Sequence, residues 1–313
     1  MKLSHLRNVI AVADRGSLRR AARHLGLAQP AITRSIQEVE RELGVALFER
    51  RARGMILTPM GELFRRRANA VQGELRRARD EIDQLLGKAT GRVSVCLSTL
   101  AHIAFLPGVL QPFRARFPNV VLDISESMFP GVEAALNDGT LDFYVGPLAD
   151  ETLSKDLTVE KLFDNTRVIF GRKGHPLAGA RSLRDLIDAR WITTSVTAES
   201  VAELEPLFAL HGLPAPRIEL HAHSALTMII AAANSDLLMM LPRQWHNSRW
   251  TSALLDSFTV PEVLPAPPMC IVTRTKLPLT PAAQCLCDLL RRESSQYATT
   301  MPSAYRSNDS AIF

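Results

Sequence analysis

The 313-residue chain lacks the segments that place a protein in a membrane or direct it out of the cell. It has no run of about 18 uncharged apolar residues, which is the length that a membrane-spanning helix needs. Its first sixteen residues lack the long apolar stretch and cleavage site of a secretory signal, and they predict a structural helix over residues 1–14. The sequence therefore predicts a cytoplasmic protein with no membrane partner.

Cysteine is scarce, and its spacing does not suit a metal or redox site. The four cysteines are Cys96, Cys270, Cys285 and Cys287. The last two are separated by one residue, whereas zinc and dithiol motifs separate their cysteines by two. We interpret all four as reduced thiols and predict no metal.

The common catalytic motifs are also missing. The chain has no Gly-x-Ser-x-Gly elbow, no glycine-rich phosphate loop and no zinc-protease helix. Glu126 and Asp142 are isolated carboxylates, which are better explained as helix caps or salt-bridge partners. His221 and His223 alternate on a predicted strand and so share a face, but no third metal ligand lies nearby. The sequence predicts neither an enzyme nor a bound cofactor.

The net charge of +5 is distributed unevenly. Residues 1–90 hold 18 basic and 10 acidic side chains, a net charge of +8, and residues 91–313 carry a net charge of −3. A basic front part joined to a mildly acidic body indicates a polyanionic partner for the front part alone.

Residues 17–58 contain two short helices with a tight turn between them. Ser17 precedes the first helix as a candidate N-cap, and Gly26 follows it, where a left-handed residue is least costly. The second helix begins near Gln29 or Pro30, because proline is tolerated in a first turn. Two helices joined in this way form the helix-turn-helix pattern, whose second helix enters the DNA major groove.

The exposed face of the second helix has the chemistry for reading bases. Gln29 and Arg34 suit bidentate contacts with adenine and guanine, and Thr33 suits a thymine methyl. Arginines on the first helix and in the following loop suit phosphates. The alternative is a small helical bundle with a solvated basic face. The residues predicted to contact DNA are Ser17, Arg19, Arg20, Gln29, Pro30, Thr33, Arg34, Gln37, Arg50, Arg51 and Arg53.

This region resembles the N-terminal domain of LysR-type transcriptional regulators. The departure is Ala28, where the family usually has a serine that would cap the second helix. The resemblance implies a winged helix-turn-helix domain over residues 1–58. The matching residues are Gly16-Ser17-Leu18, Ala21-Ala22, Leu25, Gln29-Pro30-Ala31, Ile36, Glu40, Leu43-Gly44, Leu47-Phe48-Glu49-Arg50, Leu57-Thr58 and Gly61.

A long helix is predicted from Pro59 to about Leu86, followed by a hinge that ends near residue 90. Apolar residues recur at heptad spacing along it, which is typical of a coiled coil. We therefore predict a dimer whose two recognition helices address two half-sites. The alternative is a helix that packs on its own domain. The predicted dimer seam consists of Phe64, Ala68, Val71, Leu75, Ala78, Ile82 and Leu85.

From residue 91 the pattern changes to alternating strands and helices, which favours an α/β fold with parallel strands. Strands are predicted over residues 92–98, 120–126, 141–146, 191–194, 218–222, 237–241, 260–263 and 270–274, with two more within 157–171. Helices are predicted over residues 103–117, 131–138, 182–187, 198–210, 225–233 and 281–293.

This body resembles the effector domain of the same family, which is built like a periplasmic binding protein. The overall fold class is thus α/β, with an N-terminal all-α winged helix-turn-helix, a linker helix and a two-lobed effector domain over residues 91–294. Lobe one covers about 91–161 and 265–294, and lobe two covers about 162–264. Residues 295–313 are predicted to be a flexible tail.

Ligands of open α/β sheets bind beyond the carboxyl ends of the strands. Hydroxyls at helix N-termini favour an anion there, so we predict a small carboxylate or similar anion of unknown identity. The alternative for each serine and threonine is a simple N-cap. The predicted effector residues are Ser98, Thr99, His102, Phe129, Thr194, Ser195, Thr197, His223 and Ser224.

The resemblance implies a transcriptional regulator whose dimer binds an inverted-repeat promoter site on double-stranded DNA. It further implies a homotetramer, effector-dependent DNA bending and contact with RNA polymerase. Two alternatives stay open from the residues alone. One is a solute-binding or sensory protein whose basic front contacts another protein, and the other is an enzyme that uses the cleft.

Overall fold

The computed structural model describes residues 1–51, 54–149, 153–194 and 204–298. Three helices and a two-stranded antiparallel wing form the N-terminal domain, around a core that includes Ile32, Val39 and Leu47. This confirms the winged helix-turn-helix prediction. The elements are α1 (Leu3–Arg15), α2 (Leu18–Leu25), α3 (Gln29–Leu43), β1 (Phe48–Arg51) and β2 (Gly54–Leu57).

The linker helix α4 (Pro59–Leu85) joins this domain to the body. Thr58 caps its start, since the Thr58 hydroxyl accepts a hydrogen bond from the Gly61 amide at 3.0 Å. At 1.5 Å per residue the helix is about 40 Å long. Helix α4 packs on α1 and also contacts β3 and α11 of the body.

The body is one continuous sheet of nine strands, in the order β4-β3-β5-β11-β6-β9-β7-β8, with β10 paired to β6. Strands β3, β4 and β5 are parallel and belong to lobe one, whereas β7, β8 and β9 are parallel and belong to lobe two. The long antiparallel strands β6 and β11 connect the lobes. The bounds are β3 (Thr90–Leu97), β4 (Asn119–Glu126), β5 (Phe143–Pro147), β6 (Leu157–Arg172), β7 (Arg190–Thr194), β8 (Arg217–Ala222), β9 (Leu237–Pro242), β10 (Leu255–Phe258) and β11 (Pro265–Arg274).

Helices cover the sheet, and three apolar cores are buried in the described part of the body. The largest includes Phe105, Phe113 and Ile271 and continues into lobe two, a second surrounds Trp191, and a third in lobe one surrounds Tyr144. The helices are α5 (Thr99–Ala104), α6 (Leu106–Arg116), α7 (Glu133–Asn137), α8 (Glu205–Leu210), α9 (Ala225–Ala233), α10 (Arg249–Ser252) and α11 (Pro281–Ala298), with 3-10 turns at Leu183–Leu186 and Arg243–Asn247.

Several predicted boundaries differ from the structure, and strand β11, for example, begins at Pro265 rather than at residue 270. The helix predicted over 103–117 is two helices, because Pro107 cannot continue a preceding turn. The two strands predicted within 157–171 are one strand, β6. Residues 260–263 are not a strand, and β10 lies just before them. Helix α11 continues to Ala298, so the segment predicted as tail begins inside it.

Candidate DNA and effector interfaces

Helix α3 separates a buried apolar face from an exposed polar face. Ile32, Ile36 and Val39 are buried in the domain core. On the opposite side Thr33 is half-buried, and its hydroxyl donates to the Gln29 carbonyl at 3.1 Å. The exposed side chains of Gln29, Pro30, Arg34 and Gln37 line a shallow open depression together with Thr33. The structure thus brings all five predicted α3 residues onto one accessible face.

Polar contacts from α1 fix the orientation of α3. The Asn8 amide nitrogen donates to the Ser35 hydroxyl at 2.9 Å in the buried interface between the helices. His5 lies 3.4 Å from the Glu38 carboxylate. Because a buried side-chain hydrogen bond is costly to break, these contacts disfavour rotation of α3 about its axis.

The start of α2 is capped as predicted. The Ser17 hydroxyl accepts a hydrogen bond from the Arg20 amide at 3.4 Å. Arg19 and Arg20 are exposed at this end of the helix. By contrast, the N-cap position of α3 is Ala28, which provides no side-chain acceptor.

The backbone of the wing is held close to the helices. The Glu40 carboxylate accepts from the amides of Leu47 and Phe48 at 2.8 and 3.2 Å, which fixes the entry to β1. Gly54 is required on the other strand, because a Cβ there would lie 2.4 Å from the Gly16 carbonyl oxygen.

The predicted arginines of the wing differ in their surroundings. Arg50 is exposed. Arg51 is also exposed but pairs with Glu49 at 3.0 Å, so this carboxylate competes with a phosphate for its guanidinium. Arg53 lies outside the described residues.

The predicted dimer seam on α4 is only partly available to a second chain. Val71, Ile82 and Leu85 are 46%, 58% and 74% exposed, and Ala78 is exposed beside them. Leu75 and Phe64 are half-buried, and Phe64 packs on the core of the DNA-binding domain. Ala68 is 1% exposed. The prediction for Ala68 was therefore wrong, since it is already buried within its own chain.

The strand order brings the predicted effector residues to one edge of each lobe. Ser98 follows β3, and His223 follows β8, whose end pairs in parallel with the end of β7 at Thr194. The alternative of a simple N-cap was open for each serine and threonine of the predicted set, and Ser98 and Ser224 do cap helices. Ser98 accepts from the Ala101 amide at 3.3 Å, and Ser224 accepts from the Thr227 amide at 3.2 Å. Ser195 and Thr197 lie outside the described residues.

Some of the predicted effector-binding groups of lobe one already form hydrogen bonds within the protein. The Thr99 hydroxyl donates to the Glu126 carboxylate. A ring nitrogen of His102 lies 3.0 Å from the Ser98 carbonyl oxygen. Phe129 was predicted as a cleft wall, but it is buried and packs edge-on against Tyr144, with ring centroids 5.1 Å apart. It is a core residue of lobe one, so that prediction was wrong.

Sequence reasoning missed a segment at the end of β9. The turn Arg243–Asn247 follows that strand and contacts α5 of the other lobe. Trp245 is buried there, and its indole nitrogen has no hydrogen-bond partner among the described residues. The amide oxygen of Gln244 is likewise unpaired within that part of the chain. Applying the strand-end rule to β9 would have identified this turn.

Two of the four thiols, those of Cys96 and Cys287, are poorly suited to act as nucleophiles. Burial raises the pKa of Cys287 to about 11 and also raises the pKa of Cys96. A thiol with a raised pKa is a poor nucleophile at neutral pH. Among the described residues, no three His, Cys, Asp or Glu side chains cluster as a metal site. No helix in the same residues is long and apolar enough to cross a membrane.

The fold and the α3 face define a two-part DNA-binding regulator with a ligand-binding body, and comparison with known proteins specifies the family. Residues 3–62 match the model of the bacterial regulatory helix-turn-helix protein, lysR family. Residues 86–295 match the LysR substrate binding domain. The chain therefore belongs to the LysR family, whose members are transcriptional regulators rather than enzymes.

Relatives cover nearly the whole chain. The HTH-type transcriptional regulator TdcA of Escherichia coli K12 is 29% identical over 294 residues, 94% of each chain. The SDS degradation transcriptional activation protein of a Pseudomonas strain is 32% identical over 244 residues, 77% of this chain and 78% of the relative.

Solved structures share the fold. A full-length OxyR variant from Pseudomonas aeruginosa has a TM-score of 0.71 at 20% identity and covers 96% of this chain and 99% of its own. Full-length CbnR complexed with its target DNA has a TM-score of 0.69 at 20% identity, covering 94% of this chain and 100% of its own.

Proposed function

We propose that this regulator reads an inverted-repeat promoter site as a homodimer and responds to a small carboxylate bound between its lobes. The observation that carries the DNA part is the exposed polar face of α3, which holds Gln29, Thr33, Arg34 and Gln37 on a helix fixed by α1. Base-reading side chains on an outward face are what major-groove recognition requires. Arg19, Arg20 and Arg50 are exposed elsewhere on the DNA-binding domain and would supply phosphate contacts.

The exposed apolar stripe on α4 supports dimer formation. Val71, Ala78, Ile82 and Leu85 are exposed and follow one another along the helix at heptad-compatible steps. An apolar stripe of this spacing is buried in a coiled coil by a second copy of the same helix. Pairing through α4 would place two copies of α3 on two half-sites, as an inverted repeat requires.

The effector domains offer a second surface for assembly into a tetramer. Leu226 and Ile230 are exposed on α9, next to the edge strand β8. Val121 is exposed on β4, the strand at the opposite edge of the sheet. An antiparallel pair of effector domains would bring α9 of one chain to β4 of the other, twice around a twofold axis.

The effector site is proposed between the strand ends of the two lobes. Thr99, His102 and the turn that holds Trp245 lie where the lobes contact each other, and each carries hydrogen-bonding groups. A ligand there changes the arrangement of subunits only if it binds one arrangement more tightly than the other. The changed arrangement of subunits in the DNA-bound tetramer would alter its contact with RNA polymerase. This complex would lie in the cytoplasm, together with the DNA.

Selection from a pool of random duplex DNA tests the DNA part of the proposal. The purified full-length chain is expected to enrich an inverted repeat with a fixed spacing between its half-sites. Enrichment of a single half-site would contradict the dimer, and failure to enrich any sequence would contradict recognition through α3.

Thermal unfolding with acetate, pyruvate, succinate or benzoate tests the effector part. A carboxylate that binds the folded chain raises the unfolding temperature. We expect at least one of the four to do so, and Thr99→Val to reduce the shift. Thr158→Val is the matched control, because the Thr158 hydroxyl bonds to Thr275 at the opposite edge of lobe one. If none of the four anions raises the unfolding temperature, the carboxylate proposal is wrong.

A further inference from the structure

The linker helix α4 is joined to lobe one by a buried ionic cluster that none of the functions above uses. The Arg77 side chain is buried, and its Nη1 donates to the Asp142 carboxylate at 3.2 Å and to the Gly139 carbonyl at 2.8 Å. Asp142 is also buried and accepts a second hydrogen bond, from the Ser94 amide, at 2.8 Å. The cluster therefore links α4 to strand β3 and to the start of β5.

A second arginine and a shared carboxylate complete the cluster. The Glu74 carboxylate accepts from Arg77 Nε at 3.0 Å and from Arg274 Nη1 at 2.7 Å. Partial burial alone would raise the pKa of Glu74, but the hydrogen bonds from both arginines lower it overall. Glu74 is therefore ionised at neutral pH and bridges α4 to the end of β11.

Two glycines allow the helix to approach this closely. A Cβ on Gly73 would lie 3.0 Å from the Arg77 guanidinium and 3.2 Å from the Gly139 carbonyl oxygen. Gly139 has a φ of +72°, and a Cβ there would lie 2.4 Å from Arg77. The turn before β5 and the helix thus contact each other almost backbone to backbone, with the Arg77 guanidinium beside both glycines.

Further along α4, side chains tie the helix to lobe one at two more places. Gln84 donates to the Thr90 carbonyl at 3.0 Å and accepts from the Ala282 amide at 2.9 Å. Asp80 accepts from the Arg92 amide at 3.2 Å. The second half of α4 is therefore bonded to β3 and α11 as well as to the ionic cluster.

These contacts lie at the edge of lobe one that faces away from the proposed effector site. Asp142 stands at the amino end of β5, and Arg274 ends the antiparallel neighbour β11. The carboxyl ends of β3 and β5 form the opposite edge, which carries Ser98. Five residues of β5 separate the two edges by about 16 Å, at roughly 3.3 Å per residue.

We infer that Glu74, Arg77, Asp142 and Arg274 are positioning residues that make α4 and lobe one a single rigid unit. Effector binding then moves lobe two relative to lobe one, the linker and the recognition helices. Undocking α4 would break the hydrogen bonds from Arg77 to the Asp142 carboxylate and to the Gly139 carbonyl, and hydrogen bonds of charged groups contribute more to stability than those between neutral groups. This inference rests on the proposed effector site, since only a ligand between the lobes would move lobe two relative to the rest of the chain.

Two substitutions in full-length chains test the inference. Glu74→Gln removes the shared charge, and Glu81→Gln is the matched control one heptad later on α4, where the carboxylate forms no ion pair among the described residues. Arg77→Met combined with Asp142→Asn removes both buried charges together. That double variant avoids leaving one charge unpaired, and circular dichroism would check that it folds.

The first readout is tryptic cleavage at Lys88 and Arg92, in the segment that follows α4. Loss of the Glu74 charge weakens its hydrogen bonds from both arginines and is expected to make cleavage about tenfold faster in Glu74→Gln. The control should match the wild type. Equal cleavage rates in the wild type, Glu74→Gln and the folded double variant would overturn the inference.

The second readout is the bend in the DNA site selected by the wild-type chain, measured by circular permutation of that site. Both cluster variants should keep the same half-site sequence preference, because α3 is untouched, and should change the bend angle. An unchanged bend together with unchanged half-site binding would also overturn the inference. Absence of half-site binding by the wild type would instead contradict the proposed DNA reading, so the two failures are distinguishable.

Discussion

At the scale of single residues, the start of α3 has the extended backbone of an N-cap residue but a side chain that cannot accept the capping hydrogen bond. Ala28 has φ −73° and ψ 139°, the conformation of an N-cap, but its methyl group accepts no hydrogen bond. Ser17 and Thr58 show what the missing contact would be, since each caps its helix through a hydroxyl. The first turn of the recognition helix thus lacks the side-chain cap that secures α2 and α4.

Ala28→Ser should stabilise the chain by about 1 kcal/mol, because serine would accept a hydrogen bond from an amide of the first turn. Urea unfolding of the full-length chain would measure the change. Ala31→Ser is the matched control on the exposed face of α3, where serine within a helix is slightly unfavourable. Equal effects from the two substitutions would show that capping is not the cause.

Arg34→Ala and Arg20→Ala should weaken DNA binding in different ways. Loss of Arg34 is expected to cost about 1–3 kcal/mol at one base position and to relax specificity there. Loss of Arg20 should weaken binding to all sequences alike, since a phosphate contact carries no base information. Competition binding with single-base variants of the selected site would measure both. An unchanged base preference in Arg34→Ala would mean that the assigned register of α3 is wrong.

At the scale of elements, α4 shows what periodicity reveals and what it leaves open. The heptad spacing and Thr58-Pro59 predicted the helix and its start, because both signals are local. The same spacing did not show that Ala68 is buried in its own chain, since an apolar period does not specify its partner. The spacing also did not show that Arg77 is only 4% exposed. Arginine is rarely buried unless it is paired, and the partner of Arg77, Asp142, lies 65 residues away in the sequence.

In the effector domain, too, local sequence patterns predicted the elements but not their tertiary contacts. The order of strands and helices and the caps at Ser98 and Ser224 followed from local pattern. Strand β6, with its 16 residues, was read as two strands because strands of five or six residues are the norm. Phe129 was misplaced because only tertiary packing puts it against Tyr144.

Ile82→Glu should separate the wild-type tetramer into dimers that are joined only through their effector domains, because it places a charge in the exposed stripe of α4. Sedimentation velocity would measure the change, and affinity for the inverted repeat should fall with it. Leu254→Glu is the matched control, since Leu254 is similarly exposed in lobe two, away from α4. If Ile82→Glu leaves the assembly intact, α4 is not the dimer interface.

At the scale of the whole molecule, the last helix closes the body. Arg291 on α11 forms a bidentate ion pair with Glu160 on β6, with N–O distances of 2.6 and 2.7 Å. This hydrogen bonding lowers the pKa of Glu160, although partial burial opposes it. The pair joins helix α11 to one of the two strands that run through both lobes, so its loss would weaken the body as a unit.

The Glu160–Arg291 pair should make stability depend on pH in a predictable direction. Because the pKa of Glu160 is lower in the folded chain, its contribution is present above the unfolded pKa and is lost as pH falls through the folded value. Between pH 7 and pH 3 the wild type should lose up to about 1 kcal/mol more than Glu160→Gln, since the pair is partly exposed. Urea unfolding at both pH values would measure this, and identical losses would contradict it.

The most direct test of the central claim is the affinity of the full-length chain for its selected inverted repeat across a salt series. A dimer that makes six to ten phosphate contacts should lose about 10³–10⁵ in affinity between 50 and 200 mM salt. At each salt concentration it should bind the repeat at least about 10³-fold more tightly than a scrambled duplex. Affinity that does not change with salt, or equal affinity for both duplexes, would contradict sequence-specific reading of DNA by α3.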